Sequence, residues 1–313
     1  MEDLTFSFHT VLPLLFIMAA GLSARRLGWL ADSAIRQIND CVFRLFLPIL
    51  LCFHIMDADI GTAVDGITLI YALAATLVCF SLMFMLAPLL TPKRSVRGVL
   101  IQGIARSNYA IFGIPLVSMM YPGRDAALAA MMVAVAVPVY NIMSTIALMA
   151  YGTRSTGWKQ IAMGILRNPL IGGTAAGFLL WRLQVRLPDP LNAPLRQLAG
   201  IATPLALFSL GASLNFQKAK TNARLLVVSV MGRLIIVPLV FLSIAVAIGI
   251  RDVSLAVLIA LFASPLAVSS YPMAQQMGGD EDLAAAQVVF STAFSILTVF
   301  LWVYAFKSLG FLG

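Results

Sequence analysis

Charge is what this chain has least of: only 11% of its 313 residues are Asp, Glu, Lys or Arg, against 61% hydrophobic, and the mean hydropathy is +0.96. Composition of that kind does not suit a soluble domain, and the net charge of +8 does not point to nucleic acid because the basic residues sit in short runs between apolar stretches. Histidine is nearly absent. His9 and His54 stand apart from each other and from any carboxylate cluster, so no metal site is expected from them. Cys41, Cys52 and Cys79 lie in apolar stretches without a spacing pattern, which implies neither a disulfide framework nor a thiolate cluster. No G-x-x-x-x-G-K-[ST] run occurs, which argues against an ATP-driven pump. Asp40 is the one carboxylate well inside an apolar stretch, so a proton relay has little material. No cofactor is indicated.

Long apolar runs dominate what is there. At about 20 apolar residues per membrane crossing, the chain reads as an all-α integral membrane protein. Its ten transmembrane helices fall near 5–24, 33–56, 66–90, 97–121, 125–151, 163–182, 194–214, 223–249, 253–276 and 283–309. Met1 to Asp3 is acidic, and the first run ends at Arg25-Arg26 without a small-residue cleavage site, so the first span is expected to remain in the mature protein. With the amino terminus outside, twelve cations fall on inner connections: Arg25, Arg26, Arg36, Lys93, Arg94, Arg97, Arg154, Lys159, Arg167, Lys218, Lys220 and Arg224. Six fall outside, at Arg124, Arg182, Arg186, Arg196, Arg251 and Lys307, while Arg44, Arg106 and Arg233 lie within spans. The bias places both termini outside the cytoplasm in the inner (plasma) membrane, with Asp280 to Asp282 on an inner loop running against it.

The chain matches itself. A shift of 156 puts Pro13-Leu14 on Pro169-Leu170, Ala19-Ala20-Gly21 on Ala175-Ala176-Gly177, and Pro48 on Pro204. A shift of 155 puts Asp125 and Leu128-Ala129-Ala130 on Asp280 and Leu283-Ala284-Ala285. Two units of five spans follow, 1–153 and 163–313, joined by a linker at 154–162. An odd number of spans makes the second enter from the opposite face, the inverted-repeat arrangement associated with alternating access.

The fourth and ninth spans carry matching interruptions. Arg106 to Pro115 includes Gly113 and a proline that clashes with the Ile111 carbonyl one turn back; its repeat partner, Leu261 to Ser270, contains Pro265, and Pro265 with Pro272 brackets Ser269 and Ser270. Unsatisfied peptide groups survive at membrane depth only inside protein or beside a polar cavity, and helix amino termini meeting there favour an anion. Prolines that merely kink the helices are the alternative reading. Substrate contacts are therefore expected at Asn108, Tyr109, Gly113, Ile114 and Pro115 in the fourth span. In the ninth they are expected at Ser264, Pro265, Val268, Ser269 and Ser270. Arg106 and Arg233 each lie nine residues beyond another arginine, Arg97 and Arg224, which carries them about 13.5 Å along a helix toward the membrane midplane. Such cations face a cavity, a counter-charge or a substrate, or else snorkel to the interface or pair with helix carbonyls. Asn141, after Pro138 and Tyr140, is a further candidate for the cavity or for a helix interface. Asp57-Ala58-Asp59 with Asp65 reads as a solvated acidic loop rather than a magnesium site.

The run N-x-x-x-x-G-I-P-L, here Asn108 through Gly113-Ile114-Pro115-Leu116, resembles the auxin efflux carrier family of membrane transporters. So do Ala263-Ser264-Pro265, Ala274-Gln275-Gln276-Met277-Gly278-Gly279-Asp280, and Arg233-Leu234 followed by Pro238. The resemblance spans nearly the whole chain. It implies broken crossing helices four and nine with substrate beside the crossing. It also implies a transport unit of spans 3–5 and 8–10 sliding on a scaffold of spans 1, 2, 6 and 7, and a homodimer joined through that scaffold. Ser270, the repeat partner of Pro115, replaces a proline of plant members, which leaves the position of the ninth-span break open. The expected function is a secondary carrier of a small organic anion, embedded in membrane lipid. A membrane-embedded acyl or prenyl transferase is the main alternative, but no catalytic base, metal set or nucleophile triad is visible. A channel or sensor accounts poorly for paired interruptions.

Overall fold

The computed structural model describes residues 2–57, 65–121, 126–152, 157–185, 187–215, 217 and 222–312. Ala58, Asp59, Arg124, Asp125, Arg154, Arg186, Lys218 and Lys220 lie outside the described residues, as do the side chains of His9 and Ile114.

With no water in hydrocarbon to take peptide hydrogen bonds, apolar runs of this length satisfy their own backbone as helices. Among the described residues there are helices and no strands. In chain order they are α1 (Glu2–Arg26), α2 (Asp32–Met56), α3 (Gly66–Leu90), α4 (Arg94–Ala105), α5 (Tyr109–Met120), α6 (Ala126–Tyr151) and α7 (Trp158–Leu166). There follow α8 (Pro169–Arg182), α9 (Asp189–Ser213), α10 (Ala223–Ala247), α11 (Asp252–Ala263), α12 (Ser270–Gln276) and α13 (Glu281–Ser308). Six of them, α2, α3, α6, α9, α10 and α13, are long and apolar enough to cross a membrane. Short non-helical segments separate α4 from α5, α7 from α8 and α11 from α12.

Local chemistry sets several of the ends. Asp65, Asn168 and Asp280 accept from the backbone N–H of Thr68, Leu170 and Leu283, capping α3, α8 and α13. Two long helices carry a π-bulge just before a proline, Val42–Phe46 before Pro48 in α2 and Gly232–Ile236 before Pro238 in α10. Proline lacks an N–H and crowds the carbonyl four residues back. For Pro238 that carbonyl is Leu234, and the Trp302 indole of α13 donates to it at 2.9 Å.

Packing repeats itself across the two halves. Glycine lets α1 press onto α9, where a Cβ on Gly21 would sit 1.9 Å from the Phe208 carbonyl oxygen. It lets α8 press onto α2 in the same way, a Cβ on Gly177 falling 2.4 Å from the Cys52 carbonyl oxygen. One shift of 156 residues relates both partners, Gly21 to Gly177 and Cys52 to Phe208. Small residues at such crossings allow the backbone approach that membrane helices rely on.

Polar contacts at helix ends gather on two faces. On one, Arg25 bonds Asp32 and the Ala212 carbonyl, Arg36 bonds Glu281, and Arg94 bonds the Ala150 carbonyl. On the other, Arg196 makes a two-pronged bond to Asp57 while lying over the Phe53 ring, and Asp65 accepts from Ser254. The acidic loop is thus in part a pairing surface, with Asp57 clamped to α9 and Asp65 tying α3 to α11.

Both interruptions exist, and one is displaced from its expected cause. In the fourth span helix stops at Ala105 and resumes at Tyr109, so residues 106–108 form the break, while Gly113 and Pro115 sit inside α5. A proline within a helix kinks it without ending it when neighbouring groups satisfy the freed carbonyl. In the ninth span α11 ends at Ala263 and α12 starts at Ser270. Ser264 adopts ψ 152, the extended geometry that a following proline imposes. Pro272 occupies the first turn of α12, where no intrahelical N–H is required.

Candidate functional site

The two breaks bond to each other: the Asn108 N–H donates to the Pro265 carbonyl at 2.8 Å. Around this crossing lie two buried arginines with opposite surroundings.

Arg233, on the π-bulge of α10, is fully buried. Its Nε donates to Ser264 O (2.9 Å), Nη1 to Ile104 O (3.2 Å) and Ala105 O (3.3 Å), and Nη2 to Leu261 O (3.0 Å) and Phe262 O (2.5 Å). All five guanidinium donors are therefore spent on the last carbonyls of α4 and α11. Each helix carboxy terminus carries about half a negative charge, so two of them offset one arginine. This clasp, rather than a local helix breaker, explains why α4 stops at Ala105: its terminal carbonyls have a better partner than the next turn of helix. Arg233 does not line the adjoining cavity. The sequence had offered substrate or helix carbonyls as its partner, and the geometry assigns the carbonyls.

Arg106, in the break itself, is also buried. Nη2 donates to Asn141 Oδ1 (2.8 Å) and Ser269 Oγ (2.7 Å), Nη1 faces the Met273 sulfur, and Nε has no partner. Two neutral oxygens and a thioether are weak compensation for a buried cation, and no carboxylate reaches it: among the described residues the ion pairs are Arg25–Asp32, Arg36–Glu281 and Arg196–Asp57. The amide nitrogens of Asn108 and Asn141 also lack acceptors. Among the described groups, none accepts from the N–H of Tyr109 or Ala110, at the amino terminus of α5. Uncompensated positive charge and N–H donors thus collect at one point.

That point opens into a cavity of about 60 Å³, large enough for a few waters or for one carboxylate group. Of the expected contacts, Arg106, Asn108, Val268 and Ser269 line it. The others stand behind it. Asn141 orients Arg106. Pro265 receives the Asn108 N–H, Ser264 caps back onto the Ala260 carbonyl and serves Arg233, and the buried Ser270 accepts from Gln102 Nε2 at 3.1 Å through its carbonyl. Tyr109 is fully buried, its hydroxyl donating to Ala129 O at 3.0 Å. Gly113 is where it is because a Cβ there would lie 2.5 Å from the Tyr109 ring. Pro115 is exposed on α5, away from the cavity, and the side chain of Ile114 lies outside the described residues.

The far wall escaped the sequence reading. Leu47, Leu50, Leu51 and His54 of α2 and Thr203 and Ala206 of α9 close the cavity, with Val137 and Tyr140 of α6 at its side. The signal available was the spacing of the four α2 residues, which puts them on one helical face, but nothing in the sequence says what that face meets. His54, set aside as no metal ligand, is a wall of the cavity; among the described residues no group of three or more metal-ligating side chains gathers anywhere.

The family described as Membrane transport protein matches residues 6–160 and 157–303. A protein of Rhizobium meliloti (strain 1021) named "Putative malonate transporter" is 26% identical, with 95% of each chain covered. An "Uncharacterized transporter" of Methanothermobacter thermautotrophicus is 24% identical, over 95% of this chain and 97% of its own. Transporters, not enzymes, are what this sequence is similar to, and the apolar helices put it in a membrane as a multi-pass protein. The chain therefore belongs to the family of membrane transport proteins, the auxin efflux carrier type that its Asn108 to Leu116 run resembles.

Proposed function

We propose that this protein is a secondary carrier of small organic anions, short carboxylates of malonate's size, that works by alternating access with the substrate held at the crossing of α4/α5 and α11/α12. One observation carries the reading: Arg106 is a buried cation with no counter-ion, opening on a cavity and flanked by unpaired N–H donors. Leaving a buried charge uncompensated costs several kcal/mol. An anionic guest removes that cost and takes hydrogen bonds that nothing else supplies. The amino terminus of α5 adds about half a positive charge, so the site suits a carboxylate better than a neutral compound.

The architecture that goes with this reading is ten spans in two inverted five-span repeats, 1–153 and 163–313. Its support is the pair of glycine contacts related by one shift and the sorting of helix-end contacts onto two faces. The unit of α3–α6 and α10–α13 would slide as an elevator on a scaffold of α1, α2 and α7–α9, with copies of the scaffold forming a homodimer. The cation-rich face would be cytoplasmic and both termini would lie outside.

Flux of a panel of mono- and dicarboxylates into proteoliposomes, with and without sodium and proton gradients, tests the proposal. Wild type should carry a short carboxylate. Asn108→Ala should lose at least tenfold in rate while folding normally, and Arg106→Gln should lose anions in preference to neutral analogues. Undiminished flux in both variants would remove the crossing from the transport path.

A further inference from the structure

A second cavity is larger than the one at the crossing. A space of about 800 Å³ opens at the cation-rich face, between α2, the α7–α8 corner and the end of α12. Arg44 reaches it from the π-bulge of α2 and Arg167 from the corner. Neither guanidinium makes a hydrogen bond or ion pair with any described group. Among the described residues no carboxylate lines the space, and Asp40, one turn before Arg44, is bonded to the Gln276 amide. On the same face Arg25 and Arg36 each hold a carboxylate, and Arg94 and Arg97 donate to backbone carbonyls. Two arginines from different elements are thus left to face one shared volume with only neutral side chains beside them. Gln275 and Gln276, also on its wall, have their amides turned to Glu281 and Asp40.

The position matters as much as the charge. On α2, Phe43 and Arg44 line this space and Leu47, one turn on, lines the crossing cavity. On the other side α12, seven residues long and so about 10 Å, has Gln275 and Gln276 at this end and Ser269 just beyond the other. The two cavities share walls on α2 and α6, and α12 runs from beside one to the other.

We infer that this space is a second anion site, in which Arg44 and Arg167 hold a carboxylate of the transported compound on its way to or from the crossing; this rests on the reading of the protein as an organic-anion carrier. A short dicarboxylate has a charge for each arginine, so dianions gain most. Both side chains are solvent-accessible, and their replacement by glutamine leaves no buried group unpaired.

Malonate serves as the probe. In proteoliposome flux, Arg44→Gln and Arg167→Gln should each raise KM about fivefold, the size of one solvent-screened charge contact, with kcat unchanged, and should flatten the salt dependence of kcat/KM. A direct arm uses thermal stabilisation by malonate, at constant ionic strength, of purified Asn108→Ala, in which the crossing is disabled. Stabilisation should persist there and vanish in the triple variant with both glutamines. Stabilisation of wild type but not of Asn108→Ala would overturn the second site and leave the carrier reading standing. No stabilisation of either would overturn both. Unchanged KM and salt dependence in the arginine variants, or a fall in kcat alone, would also overturn it.

Discussion

Replacing Arg233 with methionine, which keeps most of the side-chain volume, removes five donors from five buried carbonyls at the ends of α4 and α11. A buried acceptor left unsatisfied costs about 1–3 kcal/mol, so the set amounts to roughly 5–15 kcal/mol, the entire stability of a typical fold. The two helix ends would also keep about half a negative charge each with nothing between them. Arg233→Met should therefore yield no monodisperse protein in detergent. Arg233→Lys, with three donors in place of five, should give a folded but markedly less stable one. The same change at Arg106 has the opposite sign. It strips two neutral oxygens and a sulfur of their donor but also removes a cation with no counter-charge, so Arg106→Met should melt within a few degrees of wild type, or above it, while anion flux is lost. Thermal size-exclusion chromatography on the three variants, with carboxylate flux on those that fold, reads all of this. A stable Arg233→Met, or equal destabilisation at the two positions, would refute the division of one arginine to the frame and the other to the guest.

Gly21→Ala and Gly177→Ala should each force their helix pairs apart and lower the melting temperature, at about 1–3 kcal/mol for overpacking against backbone; a neutral outcome at both would contradict the paired close approaches. Trp302→Phe leaves the Leu234 carbonyl of α10 without its indole donor, a loss of about 1–3 kcal/mol that should appear as a lower melting temperature with unchanged flux selectivity. Burial pushes the Asp65 carboxyl up, but hydrogen bonds from Ser254, Thr68 and the Ile67 and Thr68 backbone outweigh it and hold the group below its ordinary value. Its contribution to stability is thus full above the unfolded-state value and is lost as pH falls through the lower folded-state one, and Asp65→Asn should flatten that acid limb of a stability profile.

Much of the fold could be read from residue order. Apolar runs of spanning length became helices because lipid offers the backbone no other partner, and the shift of 156 that relates Gly21 to Gly177 reappears as a pair of matching contacts. The ninth-span break was legible at Pro265, which constrains Ser264 directly. The fourth-span break was legible only in part: it falls at 106–108, inside the expected Arg106 to Pro115 stretch but short of its proline. Pro115 pointed to the wrong place because the interruption is made by Arg233, 127 residues beyond Arg106, acting on carbonyls that any residues there would present.

The candidate site divides along the same line. That Arg106 and Asn108 matter is visible in one dimension, since a cation and an amide deep in an apolar run demand partners wherever the chain goes. Which arginine supports the frame and which is left wanting, that α2 and α9 close the cavity, and that Arg44 and Arg167 face a common space are properties of contacts between segments far apart in the chain. Sequence sets what each helix must bury and which groups need partners; the partners themselves exist only after packing, because a hydrogen bond between distant residues depends on distance and direction, and neither is encoded in the spacing along the chain.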